Sequence, residues 1–342
     1  MVTIIIKSFN RPFYLDRCLQ SIKICVKGSY IVKVLDDGTP NDYLDKIHFK
    51  YPEIIILKSN QYEEKVKAIK KNLESGADID GFKIPTDLWF KEVKKSGDYV
   101  LVIEDDVWFV DQVDLDVLVA QMKKFHLPLL KLGWLGNYSN DFRCNVYQLS
   151  ESINAVIPNK LITSTKFIMD LFMYNKFKFF TILYKLGVVD NNTRSQYWAL
   201  NSILMGLYKK DYWLAIWVDS KGKVDEKQQL RNASVWYHKN KSAIFGRTKT
   251  EILKTTFQSS ATNSYHDYGE NFDINIMNYI FNKAWYNDEF DPMESYPKDF
   301  SDEYISYFLD RENNSKIEFK KWLCWVEKFR NQYKALGADV SK

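Results

Sequence analysis

Residues 96–109 read SGDYVLVIEDDVWF. A small polar turn leads into an unbroken apolar run, Tyr99–Ile103, which stops at three successive carboxylates, Glu104, Asp105 and Asp106. Such a run, bounded by turn formers and rich in β-branched residues, reads as a fully buried strand. In an extended strand end Glu104 and Asp106 project to one side and Asp105 to the other. Two carboxylates on one side make a partial site for a hard cation such as Mn2+ or Mg2+, with water or phosphate oxygens completing the sphere. A solvated acidic turn is the plainer alternative for these three residues taken alone.

The same pattern recurs upstream. Thr3–Ile6 is a second buried run and breaks at SFNRP (8–12); Ile31–Leu35 is a third and closes at DDGTPND (36–42). Ile54–Leu57 reads as another strand. Between the first two lies an amphipathic helix, with Leu15, Cys18, Leu19, Ile22 and Val26 at three- and four-residue steps. Glu63–Leu73 and Thr86–Lys95 also read as helices. Strands alternating with helices predict an α/β fold, a mostly parallel sheet flanked by helices. Ligands of such sheets sit beyond the carboxyl ends of the strands, where SFNRP, DDGT and EDD all fall. Further on, Leu129–Leu132 and Trp213–Val218 read as strands, and Thr165–Leu186, Ser195–Leu207 and Ile317–Leu336 as helices.

Composition bounds the function. The chain has 342 residues, 46% hydrophobic and 27% charged, a globular balance. A net charge of +4 argues against nucleic acid as partner. The four cysteines, Cys18, Cys25, Cys144 and Cys324, have neither zinc-site spacing nor the density of a disulfide scaffold. The chain opens on a strand without signal-peptide architecture, and no apolar run approaches the ~20 residues of a membrane span. A cytoplasmic protein is expected. The stretch KFIMDLFMYNKFKFFTILYKLG (166–187) mixes aromatics with lysines. It reads either as a core helix with a solvated basic face or as a peripheral contact with the inner face of a membrane. Trp285, Trp322 and Trp325 fit either an acceptor platform or an oligomer contact.

DDGT at 36–39 is superficially like the D-x-D-G-T signature of haloacid-dehalogenase phosphatases, but the nucleophile position holds Leu35. What remains is a carboxylate able to accept a hydrogen bond from a nucleobase or a ribose, or else a simple turn. Taken together, TIIIKSFNRPFYLDRCLQSI, VLDDGTPND and SGDYVLVIEDDVWF resemble the nucleotide-binding half of GT-A glycosyltransferases, in particular the family-2-like group. That group shows a strand ending in T-x-Y-N-R, an L-x-x-C-L-x-S-I helix, a V-D-D-G-S-x-D turn and an acidic D-x-D or E-D-D after a strand. Order, context and separation match over residues 1–110.

The resemblance implies a GT-A domain with its nucleotide-sugar half at 1–110, an acceptor half at 111–249 and a mainly helical C-terminal extension at 250–342. It implies that Ser8, Phe9, Asn10 and Arg11 hold base and ribose, and that Asp37, with Asp36 beside it, reads the base edge. Asp106 then binds Mn2+ or Mg2+, with Glu104 and Asp105 as ribose and metal-water partners. Lys67 or Lys71 matches a basic residue near the base only loosely. KLGVVDNNTRSQYWALNSILMGLYKKDYW (185–213) resembles the acceptor segment at Gly187, Asp190, Gly206 and Tyr208, but Thr193, Arg194, Ser195 and Gln196 stand where an E-D pair supplies the base. Asp190 is the candidate base, its other reading being a helix N-cap. VWYHKNKSAIFGRTK (235–249) resembles the segment in which a histidine completes the metal sphere and basic residues cover the diphosphate. His238 is the candidate ligand, and Lys241 and Arg247, with Lys239 and Lys249, the candidate phosphate contacts.

The expected activity is metal-dependent transfer of a sugar from a nucleoside-diphosphate donor, UDP favoured, to a hydroxyl of a glycan or glycolipid. The abundance of Lys, Asn, Ile and Tyr fits surface-glycan or polysaccharide synthesis. The alternative is a catalytically silent GT-A-like chain that binds a nucleotide sugar or a partner. A sugar nucleotidyltransferase fits less well, because KSFNRP lacks the glycine-rich loop of that class.

Overall fold

A computed structural model describes residues 1–342 except 78, 80, 137–143, 159–160, 203, 262–267, 313, 336 and 341–342. The first half runs β1 (Val2–Ser8), α1 (Pro12–Cys25), β2 (Val26–Lys27), β3 (Tyr30–Asp36), α2 (Asn41–Lys50), β4 (Ile55–Lys58), α3 (Tyr62–Ser75), α4 (Thr86–Lys95), β5 (Tyr99–Glu104) and β6 (Val107–Phe109). β7 (Val113–Asp114), α5 (Leu115–Lys124), β8 (Leu129–Lys131), β9 (Cys144–Gln148) and β10 (Ile153–Pro158) follow, then α6 (Lys166–Met173) and α7 (Phe179–Lys185). The remainder is β11 (Gly206–Lys209), α8 (Lys210–Trp217), α9 (Glu226–Lys239), β12 (Phe245–Thr248), β13 (Leu253–Thr255), α10 (Ile274–Tyr286), α11 (Asp302–Asp310) and α12 (Phe319–Ala335).

Among the described residues one sheet holds nine strands in the order β4-β3-β1-β5-β11-β8-β12-β10-β9. Its first four strands are all parallel, whereas β11 pairs antiparallel with both β5 and β8. The α/β architecture expected from the sequence is therefore the one observed, with antiparallel pairing added where β11 joins the sheet. Register brings the polar strand ends together. Ser8 pairs with Asp36, Lys7 with Glu104, and Asp36 with Lys58.

Side-chain alternation explains why β1 is apolar over Ile4–Ile6 and β5 over Val100–Ile103. Ile4, Ile6, Leu101 and Ile103 enter one cluster, with α1, α5 and α10–α12; Ile5, Val100 and Val102 enter the other, with α4, α6, α8 and α9. Both faces of these strands are covered, so apolar residues fill their middles.

α1 starts with Pro12 at its first position, where the missing N–H costs nothing. The predicted apolar face is buried, and so are Asp16, Arg17 and Ser21 on the other side. The C-terminal layer covers them. Arg17 donates to the carbonyls of Pro292 (2.9 Å), Glu294 (3.1 Å) and Lys298, and its guanidinium lies 4.5 Å from the centroid of Trp108. Asp16 accepts from Tyr51 Oη (2.5 Å) and Trp285 Nε1 (2.7 Å).

Three expectations are corrected. Residues 213–218 are helical, in α8, because Tyr212, Trp213, Ile216 and Trp217 bury one helical face; a short aromatic run does not distinguish the two states by period. Over 195–207 the chain makes a 3-10 helix, Thr193–Leu200, and then extends into β11. The long helix over 165–186 breaks where Asn175, Phe177 and Lys178 adopt positive φ.

Arg17→Met should lower stability by roughly 3 kcal/mol, since it strips one buried and two part-buried carbonyls of their donor. Urea unfolding midpoints of the two chains measure this.

Candidate active site

The cleft lies beyond the ends of β1, β3 and β5. Asn10 takes a left-handed conformation (φ 50°) that asparagine accepts more readily than most residues, and this turns the chain sharply after β1. Its N–H donates to Thr39 Oγ1 (2.9 Å), and Asn282 Nδ2 of α10 donates to its carbonyl (3.0 Å). Asn10 thus shapes the loop, while Ser8, Phe9 and Arg11 line the cleft, which measures about 490 Å³.

DDGT divides its two acids between separate tasks. Asp36 is fully buried and accepts from Gly38 N (3.0 Å), Thr39 N (2.8 Å) and Thr39 Oγ1 (2.7 Å). Its carboxylate closes the turn and does not line the cleft, a correction to its expected share in nucleotide binding. Asp37 lines the cleft, paired with Lys65. Burial raises its pKa, with the Lys65 bond acting the other way. Gly38 makes this approach possible. At φ +150° a Cβ would stand 3.1 Å from the Phe9 ring and 3.2 Å from Lys65 Cβ.

Lys65, rather than Lys67 or Lys71, is thus the basic residue beside Asp37. It lies on the inward face of α3 with Tyr62 and Ile69, whereas Lys67 and Lys71 are exposed. The helical step 62–65–69 was a signal available in the sequence. Lys65 Nζ also donates to the carbonyl of Lys83 (2.7 Å). Lys83–Pro85 separates the cleft from a second chamber of about 470 Å³, bordered by Ser59, Asp87 and Lys221; Asp37 opens on both.

The acidic run is internally compensated. Lys7 Nζ lies 2.5 Å from Glu104 Oε1, and 4.9 Å from the ring centroid of Trp89. Arg11 spans the other two acids, with Nη2 2.5 Å from Asp105 Oδ1 and Nη1 2.9 Å from Asp106 Oδ2. Asp105 Oδ2 accepts the Phe9 N–H (2.9 Å). Burial pushes the Asp105 carboxyl up to about 7, with Arg11 pulling the other way, and raises Asp106 as well. Tyr333 of α12 senses Asp106 and Glu104, and its hydroxyl is pushed up to about 12, chiefly by burial. Lys7 and Trp89, both lining the cleft, were not singled out from the sequence.

Asp106 Oδ1 is buried and accepts no hydrogen bond. Both Asp105 oxygens are taken. Among the described residues no group of three or more His, Cys, Asp or Glu side chains is placed to hold a metal. A cation here would find not a closed cage but one or two carboxylates: Glu104, which lines the cleft, and Asp106, which does not.

The remaining expected residues stand elsewhere. His238 is in the last turn of α9 with Nδ1 3.4 Å from Thr163 Oγ1, so it forms no cluster with Asp106. Asp190 is exposed and accepts from Asn192 N (2.9 Å) and Thr193 Oγ1 (2.9 Å), the local role of a helix start. Arg247 is buried on β12 over the Trp134 ring (4.7 Å), and Lys241 is exposed in the preceding loop. None of these four lines either chamber.

No family model matches the chain, and no curated protein matches its sequence. Among solved structures it is similar to Staphylococcus aureus TarS 1–349 (12% identity, 98% of this chain and 82% of that one, TM-score 0.40). It is similar also to TarS 1–349 in complex with UDP-GlcNAc (13%, 96% and 80%, TM-score 0.41). A third is the galactosyltransferase LgtC in complex with donor and acceptor sugar analogs (13%, 68% and 70%, TM-score 0.33).

The raised Asp105 has a consequence for stability. Above the ordinary carboxyl value near pH 4 the unfolded chain has released this proton while the folded chain retains it. That contribution therefore favours folding at low pH and is lost as pH rises through about 7. Asp105→Asn should flatten the fall in unfolding free energy between about pH 4 and pH 7, by up to about 1.4 kcal/mol per pH unit. Urea titrations across that range read it out.

Proposed function

We propose that the chain is a glycosyltransferase that uses a nucleoside-diphosphate sugar, UDP favoured, and transfers the sugar to a hydroxyl of a glycan or glycolipid, in surface-glycan or polysaccharide synthesis. The observation that carries this reading is Asp37. Its carboxylate is held by Lys65 at the mouth of β3, in register with EDD, and opens on a cleft lined by Phe9, Ser8 and Arg11. A carboxylate there accepts the ring N–H of a uracil, and Phe9 offers an apolar surface to the base.

Asp106, with Glu104 beside it, would hold a Mn2+ or Mg2+ ion, which when bound supplies charge neutralisation to the departing diphosphate. Arg11 keeps Asp105 and Asp106 from repelling each other, and Lys7 does the same for Glu104. Asp190 retains the role of candidate base, and His238, Lys241 and Arg247 those of candidate donor-side contacts, each testable by substitution.

The compensation of EDD by Lys7 and Arg11 favours a second reading as well, a chain that binds the nucleotide sugar without transferring it. Thermal unfolding against UDP, GDP, CDP and dTDP, each with and without Mn2+, tests both. A nucleotide at about 100 times its Kd adds roughly 2.7 kcal/mol. The expected result is stabilisation by UDP, greater with Mn2+, lost in Asp37→Asn, together with release of UDP from a UDP-sugar. Stabilisation without release, whatever acceptor is supplied, supports the silent reading. Stabilisation by no nucleotide overturns both.

A further inference from the structure

α7 is apolar on two faces. Phe179, Phe180 and Leu183 pack inward against the cluster built on Ile5, Val100 and Val102. The opposite side carries Ile182 and Lys185, with Lys178, in left-handed backbone, just before the helix and Leu186 just past it, and all four are exposed. Ile182 is 50% exposed and Leu186 70%. Phe177, thrown outward by its left-handed backbone just ahead of the helix, is 87% exposed, and Val188 beyond it 58%. A helix apolar on all sides normally has cover on all sides, and within the described residues nothing covers this one.

Charge identifies the cover. Residues 171–189 contain three lysines and no carboxylate. Lys178 and Lys185 flank Ile182 on the outward face, and neither has an ion-pair partner among the described residues. Protruding apolar side chains between lysines on one exposed surface match an anionic bilayer. The apolar groups enter the acyl boundary and the ammonium groups remain among the phosphates. A second copy of this chain fits less well, since a two-fold contact centred on α7 would set lysines against lysines without an acid to offset them.

α6, which precedes the patch in the chain, reaches the border of the second chamber. Lys166, at the start of α6, pairs with Asp219 (2.8 Å), and the next residues, Ser220, Lys221 and Gly222, border the second chamber. Arg231 bonds both Asp170 of α6 and Asp219, which fixes the α6–α7 unit against that border.

We propose that the outward face of α7, with Phe177 and Val188, docks the protein on a lipid bilayer rich in anionic headgroups. The surface itself stands independently of the glycosyltransferase reading, because vesicle binding needs no nucleotide.

The test is flotation of the purified full chain with vesicles of phosphatidylcholine alone and with about one-third phosphatidylglycerol. The expected result is binding to the anionic vesicles at least about ten-fold tighter than to neutral ones, weakened at high salt. Phe177→Ser with Leu186→Ser, and separately Lys178→Glu with Lys185→Glu, should each weaken it about ten-fold or more. Lys71→Glu with Lys94→Glu, the same charge change on other exposed surface, should leave most of it. Thermal unfolding of each variant checks folding, which these exposed positions leave intact. Equal binding to both vesicle types, or equal loss in the Lys71/Lys94 control, overturns the proposal. So does a dimer in light scattering that the Phe177/Leu186 variant dissociates.

Discussion

Arg11 holds the active end of the sheet together. It leaves the turn after β1, reaches the end of β5, and meets one oxygen each of two adjacent buried carboxylates. Neither acid would stay in place alone, because a buried unpaired charge costs several kcal/mol and two of like sign side by side cost more. The Phe9 N–H on Asp105 locks the same turn from its backbone side. The cleft owes its shape to this one guanidinium, its planar fork matched to two acceptors as a lysine's point charge would not be. That arrangement also decides which atoms remain for a ligand. Asp37 and Glu104 line the opening, whereas Asp106, its Oδ1 buried and without a donor, does not.

The layer opposite the cleft's own helices is organised in a comparable way around α1. Its apolar side meets the sheet and its polar side meets the C-terminal helices, through Asp16 and Arg17. Arg17 satisfies carbonyls of a segment, 292–298, that lacks helix or strand hydrogen bonds of its own. Trp108 Nε1 donates to another carbonyl there, that of Pro297 (2.8 Å). The C-terminal segment is therefore bound by polar groups that α1 presents, and reaches the cleft through Asn275 and Ala261.

Much of this was legible in sequence. The buried runs of β1, β3 and β5 declared themselves because strands covered on both faces are dominated by apolar residues, and the motifs at their ends fell where register joins them. Within DDGT the division between Asp36 and Asp37 was not legible. It depends on which carboxylate the turn's own N–H groups capture. Lys65 could have been found, since it shares a helical face with Tyr62 and Ile69. The pairs Lys7–Glu104 and Arg11–Asp105 join residues nearly a hundred positions apart, and no local period reports them. The helix of α8 was hidden by aromatic residues that suit strands equally well. Asp190 and His238 were expected at the site from a partial resemblance; Asp190 accepts from the next turn and His238 meets Thr163, and neither lines the cleft.

The two faces of the central sheet are completed by chain of very different ages during synthesis. The side built on Ile5 and Val102 is covered by α4, α6, α8 and α9, all made by residue 239. The side built on Ile4 and Ile103 needs Phe281, Trp285, Trp322 and Trp325 from the last helices. On a ribosome one half of the core can close while, on the other, α1 already lies on the sheet but its outer side still lacks the cover of the C-terminal helices. Until residue 326 has emerged, that face offers chaperones and other nascent chains an open flank that the finished protein does not have.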